Sequence, residues 1–154
     1  MMTLCCDVIS KLKGRTLVTA ESCTGGGIGA ALTAVPGSSA VFKGGVICYT
    51  NWVKENILDV DTTLLEKDGA VSASVAIAMA KGVKKNLQAD IAVSVTGLAG
   101  PDADSFGNPV GLVYIGYADS EKTICNACYF EGNREQIRAQ AINAALKLVL
   151  QNAC

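Results

Sequence analysis

Thr16-Leu17-Val18-Thr19-Ala20-Glu21-Ser22-Cys23-Thr24-Gly25-Gly26-Gly27-Ile28-Gly29-Ala30-Ala31-Leu32 is the stretch on which the fold turns. Its opening, Thr16 to Ala20, is a short β-rich run suited to a buried strand that ends near Glu21. Ser22 to Gly27 is a glycine-rich turn. Ile28, Ala31, Leu32 and Val35 then recur at the spacing of one helix face, closed by Pro36-Gly37. Strand, glycine turn and helix together form a site-building unit, because backbone N–H groups at a helix start can be aimed at an anion or a developing oxyanion.

Outward from this unit the pattern alternates. Leu4, Cys5, Val8, Ile9 and Leu12 have helical spacing ahead of Gly14, a residue suited to stopping a helix. Val46 to Thr50 reads as a strand, and Asn51 reads as the cap of a short helix with Val53, Lys54, Ile57 and Leu58, so that Lys54 sits one turn inside. Thr62 to Glu66 reads as one more helical turn, and Ser72 as the cap of a long helix bearing Val75, Met79, Val83 and Leu87. Ile91 to Thr96 is the expected central strand, followed by Gly97-Leu98-Ala99-Gly100-Pro101 and a polar loop, Asp102 to Pro109. Strands over Val110–Tyr117 and Lys122–Phe130 should pair antiparallel about Asp119-Ser120, ahead of a final helix from Arg134 to Leu150. Alternating helices and strands with a late hairpin predict an α/β fold, a three-layer α/β/α sandwich with a mixed sheet, in one domain over 1–154.

Bulk properties narrow the function. Thirteen basic against fourteen acidic side chains leave a formal charge of −1, so no broad basic surface exists to displace counterions from a nucleic acid. No basic leader and no run of membrane-spanning length is apparent, which makes a cytoplasmic protein the expectation, with neither membrane nor nucleic acid as partner. Seven cysteines without paired CxxC spacing, and no histidine, point to reduced thiols acting as small hydrophobes rather than to a zinc site. The missing histidine also removes every Ser-His-Asp or Cys-His arrangement, so any nucleophile needs another base. Asp102 and Asp104 lack the remaining ligands of a calcium loop, and no metal or organic cofactor is expected.

The succession Thr19-Ala20-Glu21-Ser22-Cys23-Thr24-Gly25-Gly26, Pro36-Gly37-Ser38-Ser39 and Gly44-Gly45-Val46-Ile47-Cys48-Tyr49-Thr50-Asn51 resembles the C-terminal domain of the competence/damage-inducible protein A family. Gly69-Ala70-Val71-Ser72, Thr96-Gly97-Leu98-Ala99-Gly100-Pro101, Pro109-Val110-Gly111 and Phe130-Glu131-Gly132-Asn133-Arg134 continue it in the same order. Several ordered motifs are far more specific than one glycine loop. The resemblance implies nicotinamide-nucleotide amidase activity, in which nicotinamide mononucleotide and water give nicotinate mononucleotide and ammonia. It also implies a homodimer with the active site near an interface. Longer family members carry another domain in front, for which 154 residues leave no room. Trp52, Asn108 and Asn133 depart from the family pattern, and bear on substrate affinity more than on reaction type.

Hydrolysing a carboxamide takes a nucleophile, a base, donors for the oxyanion and an acid for the departing ammonia. The resemblance marks Ser22 as nucleophile; taken alone, a serine there is as readily a helix cap. Cys23 is the rival nucleophile, since a helix N-terminus can lower a thiol pKa. Lys54 serves as base only if burial or nearby positive charge brings its pKa well below about 10.4, and the motif Tyr49 to Lys54 favours it over an ordinary surface lysine. Tyr49 is the candidate to hydrogen-bond the Ser22–Lys54 pair and relay a proton. The amides of Thr24, Gly25 and Gly26 are candidates for the oxyanion hole. Thr96, Gly97 and Gly100 end a second strand, where the ligand crevice of an open α/β sheet is expected. Arg134 and Arg138, four residues apart on one helix face, are the candidate phosphate anchors for the small-molecule nucleotide. Glu21 is assigned either to the ribose or to orienting the nucleophile turn. Two rivals stand beside the amidase: a non-catalytic pyridine-nucleotide sensor, and a DNA-uptake or repair factor, which the charge balance disfavours.

Overall fold

The computed structural model describes residues 1–153. Its helices are α1 (Met2–Lys11), α2 (Gly27–Thr33), α3 (Asn51–Asn56), α4 (Thr62–Asp68), α5 (Ala73–Asn86) and α6 (Arg134–Asn152). Its strands are β1 (Leu17–Glu21), β2 (Phe42–Ile47), β3 (Ile91–Gly97), β4 (Leu112–Ala118) and β5 (Thr123–Tyr129), and one 3-10 turn lies at Ser38–Ala40. The strands form a five-stranded sheet in the order β2-β1-β3-β4-β5. β1 runs parallel to β2 and β3, whereas β3-β4 and β4-β5 are antiparallel, so the sheet is mixed as expected.

Alternation along the strands sends apolar side chains to both faces. Leu17 and Val93 join a core with Cys5, Val8, Leu12, Ile28, Leu32, Ile137 and Leu146, contributed by α1, α2 and α6. Val18, Ala20 and Ala92 join the opposite core, built on Val75, Met79 and Val83 of α5 with Leu65 of α4. The result is the expected three-layer sandwich. Glu21 has the parity of Leu17 and Thr19, which directs its side chain to the α2 face; Thr96 has the parity of Ala92 and turns toward α5.

Helix ends explain their own positions. Ser72 caps α5 by accepting the Val75 N–H, as expected, and Asn133 forms a capping box with Gln136 at the start of α6. At α3 the expectation shifts by one residue: Thr50 holds the N-cap position and Asn51 is already helical, with no side-chain cap bond.

β2 departs further from its sequence reading. It spans Phe42–Ile47, not Val46 to Thr50, because its register ends where β1 ends: Ile47 lies opposite Glu21 and the Cys48 N–H makes the last bond, to Glu21 O at 2.9 Å. Beyond Cys48, β1 offers no further strand to pair with. The earlier half is masked in sequence by Gly44-Gly45. Gly45 sits opposite Thr19, where a Cβ would fall 2.2 Å from Thr19 Oγ1, so the close β1–β2 approach requires glycine. The thiols also divide more widely than expected: Cys5, Cys23 and Cys48 are buried, Cys125 and Cys128 half-buried, and Cys6 exposed.

Candidate active site at the ends of the parallel strands

β1 ends at Glu21, so Ser22 is the first residue past the strand, still held to the sheet by its N–H to Val95 O at 2.9 Å. The chain turns at once, with Gly25 N–H bonding Ser22 O at 3.1 Å and Gly27 N–H bonding Thr24 O at 2.9 Å. Gly25 and Gly26 take φ of 57° and 97°, in the left-handed region that only glycine enters without strain. The turn therefore owes its tightness to these residues and presents Ser22 at the crest of the sheet.

The residues after β2 bring the partner. Cys48 and Tyr49 lead into α3, and Lys54 points back under this crossing, 1 % exposed. Its Nζ lies 3.0 Å from Ser22 Oγ, 2.7 Å from Cys48 O and 3.4 Å from Tyr49 O. No carboxylate is among these partners, and burial lowers the Lys54 pKa from its ordinary 10.5. The two carbonyls can only accept. Lys54 Nζ donates to both of them and to Ser22 Oγ, and when the amine is deprotonated its lone pair faces the Ser22 hydroxyl. That arrangement suits a general base next to a nucleophile.

Ser22 and Lys54 open onto a cavity of about 390 Å³. Cys23 and Tyr49 line it beside them, Ala70 and Val71 form a second wall, and the loop from Thr96 to Asp102 forms a third. Thr96 Oγ1 donates to Ala70 O at 2.8 Å and so ties two of these walls together. Arg134, at the first position of α6, closes the rim: its Nη1 donates to Gly100 O at 2.6 Å and its Nη2 to Tyr49 Oη at 3.2 Å.

Of the residues singled out by sequence, the structure gathers Ser22, Lys54, Tyr49, Thr96, Gly97, Gly100 and Arg134 around one cavity. It does not bring Glu21, Thr24, Gly25, Gly26 or Arg138 to that lining. Tyr49 also differs in its contact: its carbonyl, not its hydroxyl, meets Lys54, and the hydroxyl accepts from Arg134. Gly25 commits its N–H to the turn itself; among the described residues the N–H groups of Cys23, Thr24 and Gly26 bond no backbone carbonyl. Arg138 donates from Nε to Cys23 O at 3.0 Å and from Nη2 to Thr24 O at 3.1 Å.

Cys23 is 6 % exposed, and burial pushes its thiol up to about 11, outweighing its own backbone N–H and the charges of Arg138, Lys54 and Arg134. The helix whose start was expected to activate it begins only at Gly27. Asp104 binds the Phe106 and Asn108 N–H groups and the Asn108 amide, which shapes its own loop. Asn51, Ala70 and Val71 are among the lining residues that sequence reasoning overlooked. Asn51 sits three residues before Lys54 on α3, a spacing that signals a shared face. Ala70 and Val71 carry no chemistry in their side chains, and only their place in the motif Gly69-Ala70-Val71-Ser72 marked them.

The model of the family described as CinA C-terminal domain matches residues 3–153. A putative competence-damage inducible protein of Halothermothrix orenii is 50% identical over 136 residues, covering 86% of this chain and 33% of that protein. A CinA-like protein of Synechococcus sp. (strain RCC307) is 47% identical over 146 residues, covering 92% of this chain and 35% of the relative. The chain thus spans about a third of the length of the curated relatives it matches. The crystal structure of competence damage-inducible protein A from Klebsiella pneumoniae subsp. pneumoniae MGH 78578 superposes with a TM-score of 0.96 at 33% identity, covering 99% of this chain and 96% of that one. Competence/damage inducible protein CihA from Agrobacterium tumefaciens gives 0.94 at 38% identity, covering 97% and 93%. With the match running through every wall of the cavity and the whole sheet, the chain belongs to the CinA C-terminal domain family.

Proposed function

We propose that this chain is an amidase that hydrolyses the carboxamide of nicotinamide mononucleotide to nicotinate mononucleotide and ammonia through a Ser22–Lys54 dyad. The observation that carries the reading is the 3.0 Å contact between Lys54 Nζ and Ser22 Oγ, made by a buried lysine whose other partners are carbonyls. The cavity beside the dyad has a volume in the range common for small-molecule sites, roughly 300–1,000 Å³.

In this mechanism the neutral Lys54 amine takes the Ser22 proton as Oγ bonds to the carboxamide carbon. The Cys23 amide, on the cavity lining and bonded to no backbone carbonyl, is assigned to the oxyanion. The ammonium of Lys54 then returns its proton to the departing nitrogen, which leaves as ammonia, and Ser22 is left as the nicotinoyl ester. Water, activated by the same amine, attacks that ester and frees the acid and Ser22. Arg134, at the rim, has N–H groups beyond the two that hold Gly100 and Tyr49, which supports assigning it the phosphate.

The test is ammonia release from nicotinamide mononucleotide by the wild-type chain and by folded Ser22→Ala and Lys54→Ala variants. Loss of at least about 1,000-fold in each variant is expected. Activity surviving Ser22→Ala would move the nucleophile elsewhere, and nucleotide binding without ammonia release by wild type would make the chain a sensor.

A further inference from the structure

Glu21 and Arg138 flank the turn that carries Ser22, yet neither lines the cavity. The Glu21 carboxylate, 2 % exposed, is surrounded by donors: Thr24 Oγ1 at 2.8 Å, Ile28 N–H at 2.8 Å, Gly29 N–H at 3.1 Å and Thr19 Oγ1 at 3.1 Å. Ile28 and Gly29 open α2, whose N-cap position is Gly26, a residue without a side chain to cap with. Glu21 does the capping from the end of the neighbouring strand.

Arg138 holds the same turn from α6 through the opposite groups, the carbonyls of Cys23 and Thr24. Packing leaves the turn little room to shift. A Cβ on Gly25 would lie 3.5 Å from Arg138 Nη2, and one on Gly27 would meet Ile142 Cδ1 at 2.5 Å. Arg138 and Ile142 are one helical turn apart, so a single face of α6 seats the turn. A trans peptide aims its carbonyl and its N–H in opposite directions. Drawing the Cys23 carbonyl toward α6 therefore aims the Thr24 N–H away from it, and fixes Ser22 one residue upstream.

We infer that Glu21 and Arg138 are positioning residues for Ser22, the carboxylate gripping the turn by its donors and the guanidinium by its carbonyls, and that neither touches substrate. Thr24 is the shared pivot, with its hydroxyl on Glu21 and its carbonyl on Arg138. For its kinetic readout the inference rests on the amidase reading; for its structural readout it does not.

The test uses the intact chain with Arg138→Ala, Arg138→Lys and Glu21→Gln, measured by steady-state ammonia release and by amide hydrogen exchange. Arg138→Ala should lower kcat about 100-fold, the usual cost of displacing a reacting group by an ångström, with KM for nicotinamide mononucleotide within about twofold. Added guanidinium should restore part of kcat, and Arg138→Lys should fall between Ala and wild type. If Arg138→Ala does not fold, Arg138→Lys carries the same split of kcat from KM. Gly25 exchange should quicken in the Arg138 variants, and Ile28 and Gly29 exchange in Glu21→Gln. A KM raised about tenfold at unchanged kcat would overturn the inference by making Arg138 a substrate contact, as would unchanged exchange at these amides. If wild type releases no ammonia while exchange responds as stated, the amidase reading fails and the clamp stands.

Discussion

On the α2 side of Ser22 a buried carboxylate sits among donors, whereas on the cavity side a buried amine sits among oxygens. Glu21 and Lys54 are 2 % and 1 % exposed, so both bear the cost of leaving water. Their compensation differs. Each of Glu21's partners, two backbone N–H groups and two hydroxyls, donates to a carboxylate oxygen. Lys54 has two carbonyls and the oxygen of Ser22, a hydroxyl that can itself give up a proton, and burial lowers its pKa. Glu21 ties the turn to α2, whereas Lys54, with no carboxylate partner and a pKa lowered by burial, has the character the proposed base requires.

The most demanding way to break this comparison is to replace both groups by apolar side chains and compare stabilities. Glu21→Leu strands the N–H groups of Ile28 and Gly29 and the Thr24 hydroxyl, and buried donors without acceptors cost about 1–3 kcal/mol each. A loss of about 3 kcal/mol or more in urea unfolding is expected. Lys54→Met removes an amine that has to be desolvated and strands only acceptors, so its unfolding midpoint should stay near that of wild type. A Lys54→Met protein as unstable as Glu21→Leu would mean that the amine, too, is a structural tie.

These roles were unevenly legible in the sequence. β1, the glycine turn and α2 were readable because an apolar run, three adjacent glycines and helical spacing are local signals. The dyad residues are readable as residue types in motifs, but the burial that lowers the Lys54 pKa comes from the tertiary crossing of the segment after β2 beneath the Ser22 turn. Sequence alone makes Arg138 a phosphate anchor and leaves Glu21 between the ribose and the nucleophile turn, natural readings of charges beside a nucleophile. Their hydrogen-bond partners are tertiary features instead, and those of Arg138 lie more than a hundred residues away along the chain. β2 was half hidden for the same reason: Gly45 is a strand residue only because Thr19 stands opposite.

A smaller effect sharpens the comparison through pH. Under the proposed dyad the neutral amine is the base, so kcat/KM should climb as pH rises through the lowered Lys54 pKa, with its inflection below 10.5. Stability carries the same sign. Between the folded pKa and 10.5 the unfolded chain binds a proton that the folded chain does not, so the Lys54 contribution to stability rises with pH across that window. The difference in unfolding free energy between wild type and Lys54→Met, followed over that window, should therefore increase with pH. A flat difference would show that the amine is as protonated folded as unfolded.

The smallest effect is expected at Cys23, next to the nucleophile and on the cavity wall. With its thiol pushed up to about 11 by burial, Cys23 is protonated near neutral pH, and a protonated thiol is a poor nucleophile. Cys23→Ala should keep activity within about threefold of wild type, since it removes a single buried atom and leaves intact the backbone carbonyl that Arg138 holds. The thiol should show itself instead in alkaline stability. Its folded pKa lies above its ordinary 9.0, so its contribution is complete below 9.0 and is lost as pH climbs toward about 11. Unfolding of wild type and Cys23→Ala at pH values on either side of 9.0 would measure that loss. A Cys23→Ala protein with normal alkaline stability but no activity would make the thiol the nucleophile, and Lys54, within reach of its charge, the group that activates it.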